Sequence, residues 1–244
     1  MSTYYRSLIQ SISALKSGLI AAYKFESNGN DSYSTYNGTV GTSVTFSTTN
    51  AVDGLAGQFT RVINSRITLP TTGNAFSFTN GTTDRPFSIK ANIYLRGLGV
   101  TQTILGKYSG SANNTSEYFF YVRPTNQLAI VCCNRLTGNV IIGAQTAVLS
   151  LNTAYNVVVT YDASGTFGGF KIYINGVSQT LTNISSGTGY VGMGITALNP
   201  VIGNIAQASA TFAMGGMIDE LYVFNRVITQ AEVTTLQSIY FPNF

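Results

Sequence analysis

Short apolar or alternating stretches recur along the whole chain, and a period of two predicts β-strands. They cover residues 18–25, 39–46, 66–69, 87–96, 103–108, 117–122, 127–133, 140–148, 155–161, 169–174, 201–205 and 217–224. Turn-forming residues separate them, among them the two-residue hairpin signal Asn175-Gly176. Many short strands with hardly a helix between them predict an all-β, antiparallel sandwich rather than βαβ units.

The stretch GGMIDELYVFNRVITQAEVTTL, residues 215–236, is predicted to be a strand, a corner and a short helix. Alternation assigns one strand face to Ile218, Glu220, Tyr222 and Phe224, and the other to Met217, Asp219, Leu221 and Val223. Both sets are largely apolar, so the strand is expected to be covered on both faces. Thr229 and Glu232 have the spacing of a capping box, which predicts the start of the helix.

Asp219 and Glu220 lie in the middle of this strand, where a carboxylate needs a partner. Three partners remain open for Asp219: backbone amides, the Arg226 guanidinium, or a metal ion. Glu220 is expected on the opposite face, as a structural hydrogen-bond acceptor. The stretch is thus predicted to fasten the sandwich to the loop 26–38.

Residues 1–17 differ from the rest of the chain. We therefore divide the chain into this N-terminal segment and one domain over residues 18–244. Tyr5, Leu8, Ile12 and Leu15 have helical spacing and predict a short amphipathic helix. Two interpretations stay open. The helix packs on its own sandwich, or it is a docking or oligomerisation arm, which would make the protein a homo-oligomer.

Composition narrows the function classes. Only 9% of residues are charged, so Ser, Thr, Asn, Gly and Tyr must cover the surface, as is common on extracellular and virion proteins. The net charge of +4 comes from scattered basic residues, which argues against nucleic-acid binding. The sequence has no run of about 20 apolar residues, so it does not predict a membrane-spanning helix. The absence of His removes the usual general base, and the adjacent Cys132 and Cys133 are expected to be reduced, packed thiols.

Four stretches, in the same order, resemble the laminin-G-like and concanavalin-A-like lectin/glucanase jelly rolls. They are GLIAAYKFESNGNDSYSTYNGTV, FSIKANIYLRG, NVVVTYDASGTFGGFKIYINGV and IGNIAQASATFAMGGMIDELYVFNRVITQAEVTTL. The resemblance spans about residues 18–238 and implies a jelly-roll sandwich of two curved antiparallel sheets, here with short N-terminal and C-terminal helices. One departure is Asn92, which stands where many relatives have Trp.

The resemblance also implies a structural calcium ion. Relatives often hold calcium between the first loop and the Asp of the IDE strand, and the loop 26–38 is rich in the oxygen ligands that calcium prefers. The implied ligands are Asp31 and Asp219, helped by Glu26 or Asn37 and by loop carbonyls. The alternative is an ordinary loop of Asx turns, with Asp219 bonded to backbone amides.

Carbohydrate binding is the ligand function most often met on this fold. In SEYFFYV, residues 116–122, Tyr118 and Phe120 share one face, which either lines a concave groove as a ligand site or is buried core. Glycoside hydrolysis needs two carboxylates facing one cleft. The nine acidic residues include no Glu-x-Asp-x-Glu strand motif, so the chain is not expected to be an enzyme.

The sequence therefore predicts a non-catalytic binding and assembly module. This fold usually works outside cells, yet no leader is apparent and the cysteines are used as in an intracellular protein. A bacteriophage virion component, made in the host cytoplasm without a signal peptide, would reconcile these features. The expected role is a capsid decoration or tail adhesin, with other virion proteins and cell-surface glycans as partners. The alternative is a free, extracellular carbohydrate-binding lectin.

Overall fold

A computed structural model describes residues 13–111, 115–136 and 139–237. In this range the chain forms two antiparallel sheets with a continuous apolar core between them, which confirms the predicted all-β jelly-roll sandwich. Most of the predicted amphipathic segment lies outside the described residues; residues 13–16 are helical and Leu15 is buried. None of the described helices is long and apolar enough to cross a membrane.

The strands are short, as the frequent turn signals predict. In chain order they are β1 (Leu19–Tyr23), β2 (Thr39–Val40), β3 (Thr45–Ser47), β4 (Ala56–Phe59), β5 (Ile67–Thr68), β6 (Phe87–Leu95), β7 (Gln102–Gly106), β8 (Tyr118–Val122), β9 (Gln127–Cys133), β10 (Ile141–Val148), β11 (Ala154–Tyr161), β12 (Phe170–Ile174), β13 (Val177–Ser178), β14 (Thr182–Asn183), β15 (Val201–Ile202) and β16 (Gly216–Phe224). Two 3-10 turns, Thr72–Asn74 and Phe167–Gly169, and the helix α1 (Gln230–Thr235) complete the list.

One sheet has the order β13-β12-β11-β6-β16-β4-β3, and the other β14-β10-β9-β8-β7-β15-β5-β2. Strand β16 is central, since it pairs with β6 along one side. Its other side is shared, because β4 pairs with its first three residues and β1 with its last four. The gap between these two partners falls at Asp219 and Glu220, so the backbone of this side is open to a loop there.

A β-bulge in β16 corrects the predicted alternation. The register with β6 shifts between Asp219 and Tyr222, and Glu220 has a positive φ of 48°. An extra residue in one strand moves the following side chains to the opposite face. Ile218 therefore shares the core with Leu221 and Val223, instead of sharing a face with Tyr222 and Phe224 as predicted.

The terminal segments cover the outer face of the β6/β16 sheet. Tyr222 and Phe224 point there and form a second apolar cluster with Leu15, Leu19, Ala22, Val158, Tyr173, Ile228, Val233 and Leu236. The predicted capping box is confirmed, because the Thr229 hydroxyl accepts from the Glu232 N–H and the Glu232 carboxylate accepts from the Thr229 N–H. Val233 and Leu236 face the sheet, as predicted.

A polar pair lies beneath this cover. The Asn156 amide donates to the Asn92 side-chain oxygen at 3.0 Å, and both residues are on paired strands. The same amide lies 3.4 Å from the Leu236 carbonyl oxygen at the end of α1. The position where relatives have Trp is thus part of a hydrogen-bonded contact between sheet and helix.

Candidate functional site

The Asp219 carboxylate joins the central strand to residues 52–55, hereafter the 52–55 loop. Its Oδ2 accepts hydrogen bonds from the backbone N–H groups of Val52 at 2.8 Å and of Asp53 at 3.4 Å. Asp219 is fully buried, and burial raises the pKa of its carboxyl to about 6, although the two amides and Lys90 oppose this. Its other oxygen, Oδ1, is buried and accepts no hydrogen bond from the described residues.

Glu26, which precedes the 52–55 loop in the chain, binds the same loop that Asp219 binds from a later strand. Both of its carboxylate oxygens accept from the Leu55 N–H at 3.1 Å. Gly54 has a φ of 52°, and a Cβ placed on it would lie 2.0 Å from the Glu26 Oε1. Glycine is therefore required where the loop backbone meets this carboxylate. Two of the predicted metal ligands, Glu26 and Asp219, thus hold the same loop, Asp219 through Val52 and Asp53 and Glu26 through Leu55.

Asp31 and Asn37 organise a different region. The Asp31 carboxylate accepts from the backbone N–H groups of Ala22 and Tyr33, each at 2.9 Å, and of Tyr36 at 3.3 Å. The Asp31 N–H in turn donates to the Asn37 side-chain oxygen at 3.0 Å. These contacts fold the loop 26–38 back on β1, so Asp31 acts within its own loop.

The geometry revises how the central strand is fastened. Asp219 holds the 52–55 loop through backbone amides, and it bonds to neither the loop 26–38 nor Arg226, which pairs with Glu232 instead. Within the described part of the chain, no three or more Asp, Glu, Cys or His side chains form a group that could hold a metal. The carboxylates with a shared target are Glu26 and Asp219, and calcium stays a prediction.

Glu220 occupies the bulge and is fully buried. Its backbone carbonyl accepts from the Lys90 ammonium at 3.1 Å, while its carboxylate oxygens accept no hydrogen bond from any described residue. The expectation of a side-chain acceptor is therefore wrong, since the backbone has that role. Burial raises the pKa of Glu220 to about 8 and lowers that of Lys90 to about 8, with each charge favouring the other.

Tyr118 and Phe120, predicted as ligand-binding residues, lie inside the sandwich. Both are fully buried, and the Tyr118 ring packs 5.0 Å from Phe78 and 5.8 Å from Phe87 between centroids. A ligand could reach them only if the sheets separated. Of the two interpretations of this strand face, buried core is the one that the structure shows.

The other face of β8 carries a stack of aromatic rings. Phe119 lies between Tyr108 and Tyr121, with centroids 4.4 and 4.1 Å apart and ring planes 10° and 15° apart. Because Phe119 lies face to face with a tyrosine on each side, neither face of its ring is available to stack on a sugar. Phe119 is also buried, at 3% exposure, so this ring is a packing feature of the sheet.

A cleft beside β1 has a volume of about 510 Å³. We call it the tyrosine cleft, after Tyr33 and Tyr36. Its walls combine these rings with amides, hydroxyls, one guanidinium and an apolar floor, and its full lining is Leu19, Ile20, Tyr33, Ser34, Tyr36, Gly73, Asn74, Ala75, Ser77, Phe78, Arg85, Pro86 and Asn225. Such a mixture in a cleft of this size is typical of small-ligand sites.

Sequence patterns do not reveal this cleft. Its residues come from the segments 19–20, 33–36, 73–78, 85–86 and position 225, and only the sheet topology brings them together. The two tyrosines belong to the loop 26–38, whose composition indicates turns and ligand oxygens but not an aromatic wall. One signal was present, since the YSTY segment places two tyrosines in a turn-rich loop that belongs to no predicted strand or helix.

Two further carboxylates are buried and act structurally. Asp84 accepts from the hydroxyls of Tyr161 at 2.6 Å and Tyr190 at 2.8 Å, and from the Met193 N–H at 2.7 Å. Glu117 forms a buried ion pair with Lys107 at 2.7 Å. Neither carboxylate lines the tyrosine cleft.

Comparison with protein families gives one match. The Concanavalin A-like lectin/glucanases superfamily matches residues 64–234, which is more than half of the chain. A search of curated proteins finds no significant match.

Solved structures share the fold. The binding domain of Paraclostridial Mosquitocidal Protein 1 has a TM-score of 0.67 and 16% identity, covering 90% of this chain and 52% of that chain. Domain 4 of AbnA, an extracellular arabinanase from Geobacillus stearothermophilus, in complex with arabinotriose, has a TM-score of 0.62 and 17% identity over 90% of this chain and 98% of that one. Trypanosoma rangeli sialidase in complex with sialic acid has a TM-score of 0.61 and 15% identity, covering 90% of this chain and 32% of that one. The chain thus spans about half of the first of these chains and a third of the last.

Proposed function

Because the chain belongs to the concanavalin A-like lectin/glucanase superfamily, we propose that it is a non-catalytic module that binds a glycan in the tyrosine cleft. The observation that carries this proposal is the lining of the cleft. Aromatic rings offer a face to a sugar, while Ser34, Asn74 and Asn225 offer hydrogen-bonding groups to its hydroxyls.

The aromatic wall is held in place before any ligand arrives. Asp31 fixes the backbones of Tyr33 and Tyr36 through their N–H groups. The Tyr23 hydroxyl donates to the Tyr36 carbonyl at 2.7 Å, and the Tyr36 ring packs edge-on against Phe76 at 5.4 Å. A wall that is already ordered loses little conformational freedom on binding, which favours affinity.

The comparisons support the same class of function. Domain 4 of AbnA is similar over nearly its whole length and was solved with arabinotriose, and the first structure described above is a binding domain. A non-catalytic role is supported by the contacts of the buried carboxylates. Asp84 and Asp219 accept hydrogen bonds from backbone N–H groups, and Glu117 forms an ion pair with Lys107. The described residues of the cleft lining include no carboxylate that could serve as a glycosidase acid or base.

The test is a glycan array probed with the full chain and with two variants. Tyr33→Ala removes an exposed ring of the cleft, and Tyr94→Ala removes a half-buried tyrosine outside it. We expect the wild type and Tyr94→Ala to bind the same glycans and Tyr33→Ala to lose them, with unchanged melting temperatures. Silence of the wild type on the array would overturn the proposal.

For its setting we propose the surface of a bacteriophage particle, as a capsid decoration or tail adhesin made in the host cytoplasm. The low charge content and the buried, free cysteines are consistent with this. Other virion proteins would then be its assembly partners, and cell-surface glycans its ligands. Mass spectrometry of purified particles would find the protein; its absence from particles and presence free in a cytosol would support a free lectin instead.

We also propose a structural calcium ion with Glu26 and Asp219 as its carboxylate ligands, while Asp31 and Asn37 hold the loop 26–38 in shape through their backbone N–H bonds. The orphaned Asp219 Oδ1 supports this proposal, because a buried carboxylate oxygen without a hydrogen bond is costly unless a cation neutralises it. The ion would hold the 52–55 loop to the central strand.

A further inference from the structure

We propose that the tyrosine cleft selects a glycan residue that carries a carboxylate, and that Arg85 is the group that binds it. The inference rests on the proposed glycan-binding function and adds the chemical class of the ligand. Its basis is the charge of the cleft, which the family match does not specify.

Arg85 gives the cleft a single sign of charge. Among the described residues that line the cleft, it is the one with a cationic side chain, and none of them is Asp or Glu. Arg85 takes part in neither the Lys107–Glu117 nor the Arg226–Glu232 ion pair, and no described carboxylate is within ion-pair distance of its guanidinium. An exposed guanidinium in an acid-free cleft favours an anionic ligand.

The neighbouring acid does not neutralise this charge. Asp84 and Arg85 are consecutive in an extended segment, where successive side chains point in opposite directions. Asp84 points inward and is occupied by two tyrosine hydroxyls and the Met193 N–H. Arg85 is exposed, so the two charges are separated by the backbone.

The base of the Arg85 side chain is fixed. Its backbone N–H donates to the Phe78 carbonyl at 2.8 Å, and Pro86 restricts the residue to extended conformations. The Arg85 side chain is therefore attached to a backbone position that is held rigidly in the wall of the cleft. Arginine is suited to a planar carboxylate, since its N–H groups form a fork that matches two carboxylate oxygens.

The remaining walls suit the uncharged part of a sugar. Tyr33 is 36% exposed, and its hydroxyl donates to the Lys16 carbonyl at 3.4 Å, which orients the ring. Asn225 is held by its backbone N–H bond to the Gly18 carbonyl and lines the same cleft. One ring face, one amide and one guanidinium thus surround a single space.

Calorimetric titration of the full chain with matched ligands tests the inference. The pairs are sialyllactose with lactose, and trigalacturonic acid with its methyl ester. We expect at least one acidic member to bind roughly 10-fold or more tightly than its neutral partner, and Arg85→Gln to reduce its affinity by roughly 10- to 100-fold. Lys171→Gln removes an equal charge from an exposed position outside the cleft and should leave the affinity unchanged.

The outcomes separate this inference from the proposed function. If the wild type binds glycans but prefers neutral members, or if Arg85→Gln behaves like Lys171→Gln, the carboxylate assignment is overturned and glycan binding stands. Equal binding of a sulfated lactose would also overturn the assignment. If the wild type binds no glycan at all, both are overturned. Unchanged melting temperatures of both variants exclude unfolding as the cause.

Discussion

The Val52 N–H donates a hydrogen bond of 2.8 Å to the Asp219 carboxylate, across 167 residues of sequence. The contact closes the gap on β16 between its two partner strands, β4 and β1. A buried carboxylate in a central strand is costly, and the hydrogen bonds from the two loop amides offset part of that cost. The stretch around Asp219 is therefore a point of stability rather than of catalysis.

Removing the acceptor should loosen the 52–55 loop. Asp219→Asn keeps an oxygen that can accept from Val52, whereas Asp219→Ala does not, and both are uncharged. We expect the alanine variant to have a free energy of unfolding about 1–3 kcal/mol below that of the asparagine variant. Urea denaturation measures the difference, and faster exchange of the Val52 amide would locate it. Equal stabilities would show that the bond contributes nothing.

The pKa of Asp219 predicts a pH dependence. Burial raises it to about 6 in the folded protein, from about 3.9 in an unfolded chain. The folded state then binds the proton more tightly, so the free energy of unfolding falls as pH rises from about 4 to about 6. Urea denaturation in the presence of a chelator measures the free energy of unfolding of the wild type and of Asp219→Asn at several pH values. Between about pH 4 and about pH 6 the wild type should lose up to about 3 kcal/mol relative to Asp219→Asn. Asp53→Asn, an exposed control, should parallel the wild type.

Local chemistry made much of the fold predictable. The capping box at Thr229 and Glu232 and the Asn175-Gly176 turn depend on neighbouring residues, and both are present, the turn with φ values of 48° and 72°. The bulge at Glu220 could not be predicted, because alternation carries no signal for one extra residue. β4 was missed for a similar reason, since AGQF lacks the β-branched residues that mark strands.

The candidate site was less predictable because its contacts are long-range. The residue types around Asp219 indicated an oxygen-rich environment, but not that the 52–55 loop rather than Asp31 would meet it. The burial of Tyr118 could not be predicted, because a strand covered on both faces has the same sequence pattern as a strand that lines a groove.

Calcium that binds only the folded state must raise the melting temperature, and the rise grows with the logarithm of its free concentration once that exceeds the dissociation constant. At about 100 times its dissociation constant, the gain is about 2.7 kcal/mol. We expect Glu26→Gln and Asp219→Asn to abolish this response, and Asp31→Asn, whose carboxylate is occupied by backbone N–H groups, to retain it. Thermal melts in calcium and in chelator measure it. Identical curves for the wild type in both would remove the calcium ion from the proposal.

The buried ion pair between Lys107 and Glu117 predicts strong coupling. The two groups are 2.7 Å apart with side-chain exposures of 2% and 0%, and Glu117 also accepts from the Thr196 N–H at 2.7 Å. Lys107→Met leaves a buried carboxylate without its counter-charge, which should lower the free energy of unfolding by about 3–5 kcal/mol.

The double variant Lys107→Met/Glu117→Gln tests the cause of that loss. Its amide keeps an acceptor for the Thr196 N–H and carries no charge, so most of the stability should return. A double-mutant cycle from urea denaturation gives the coupling energy. If the two single changes add without coupling, the loss in Lys107→Met comes from packing and not from an unpaired charge.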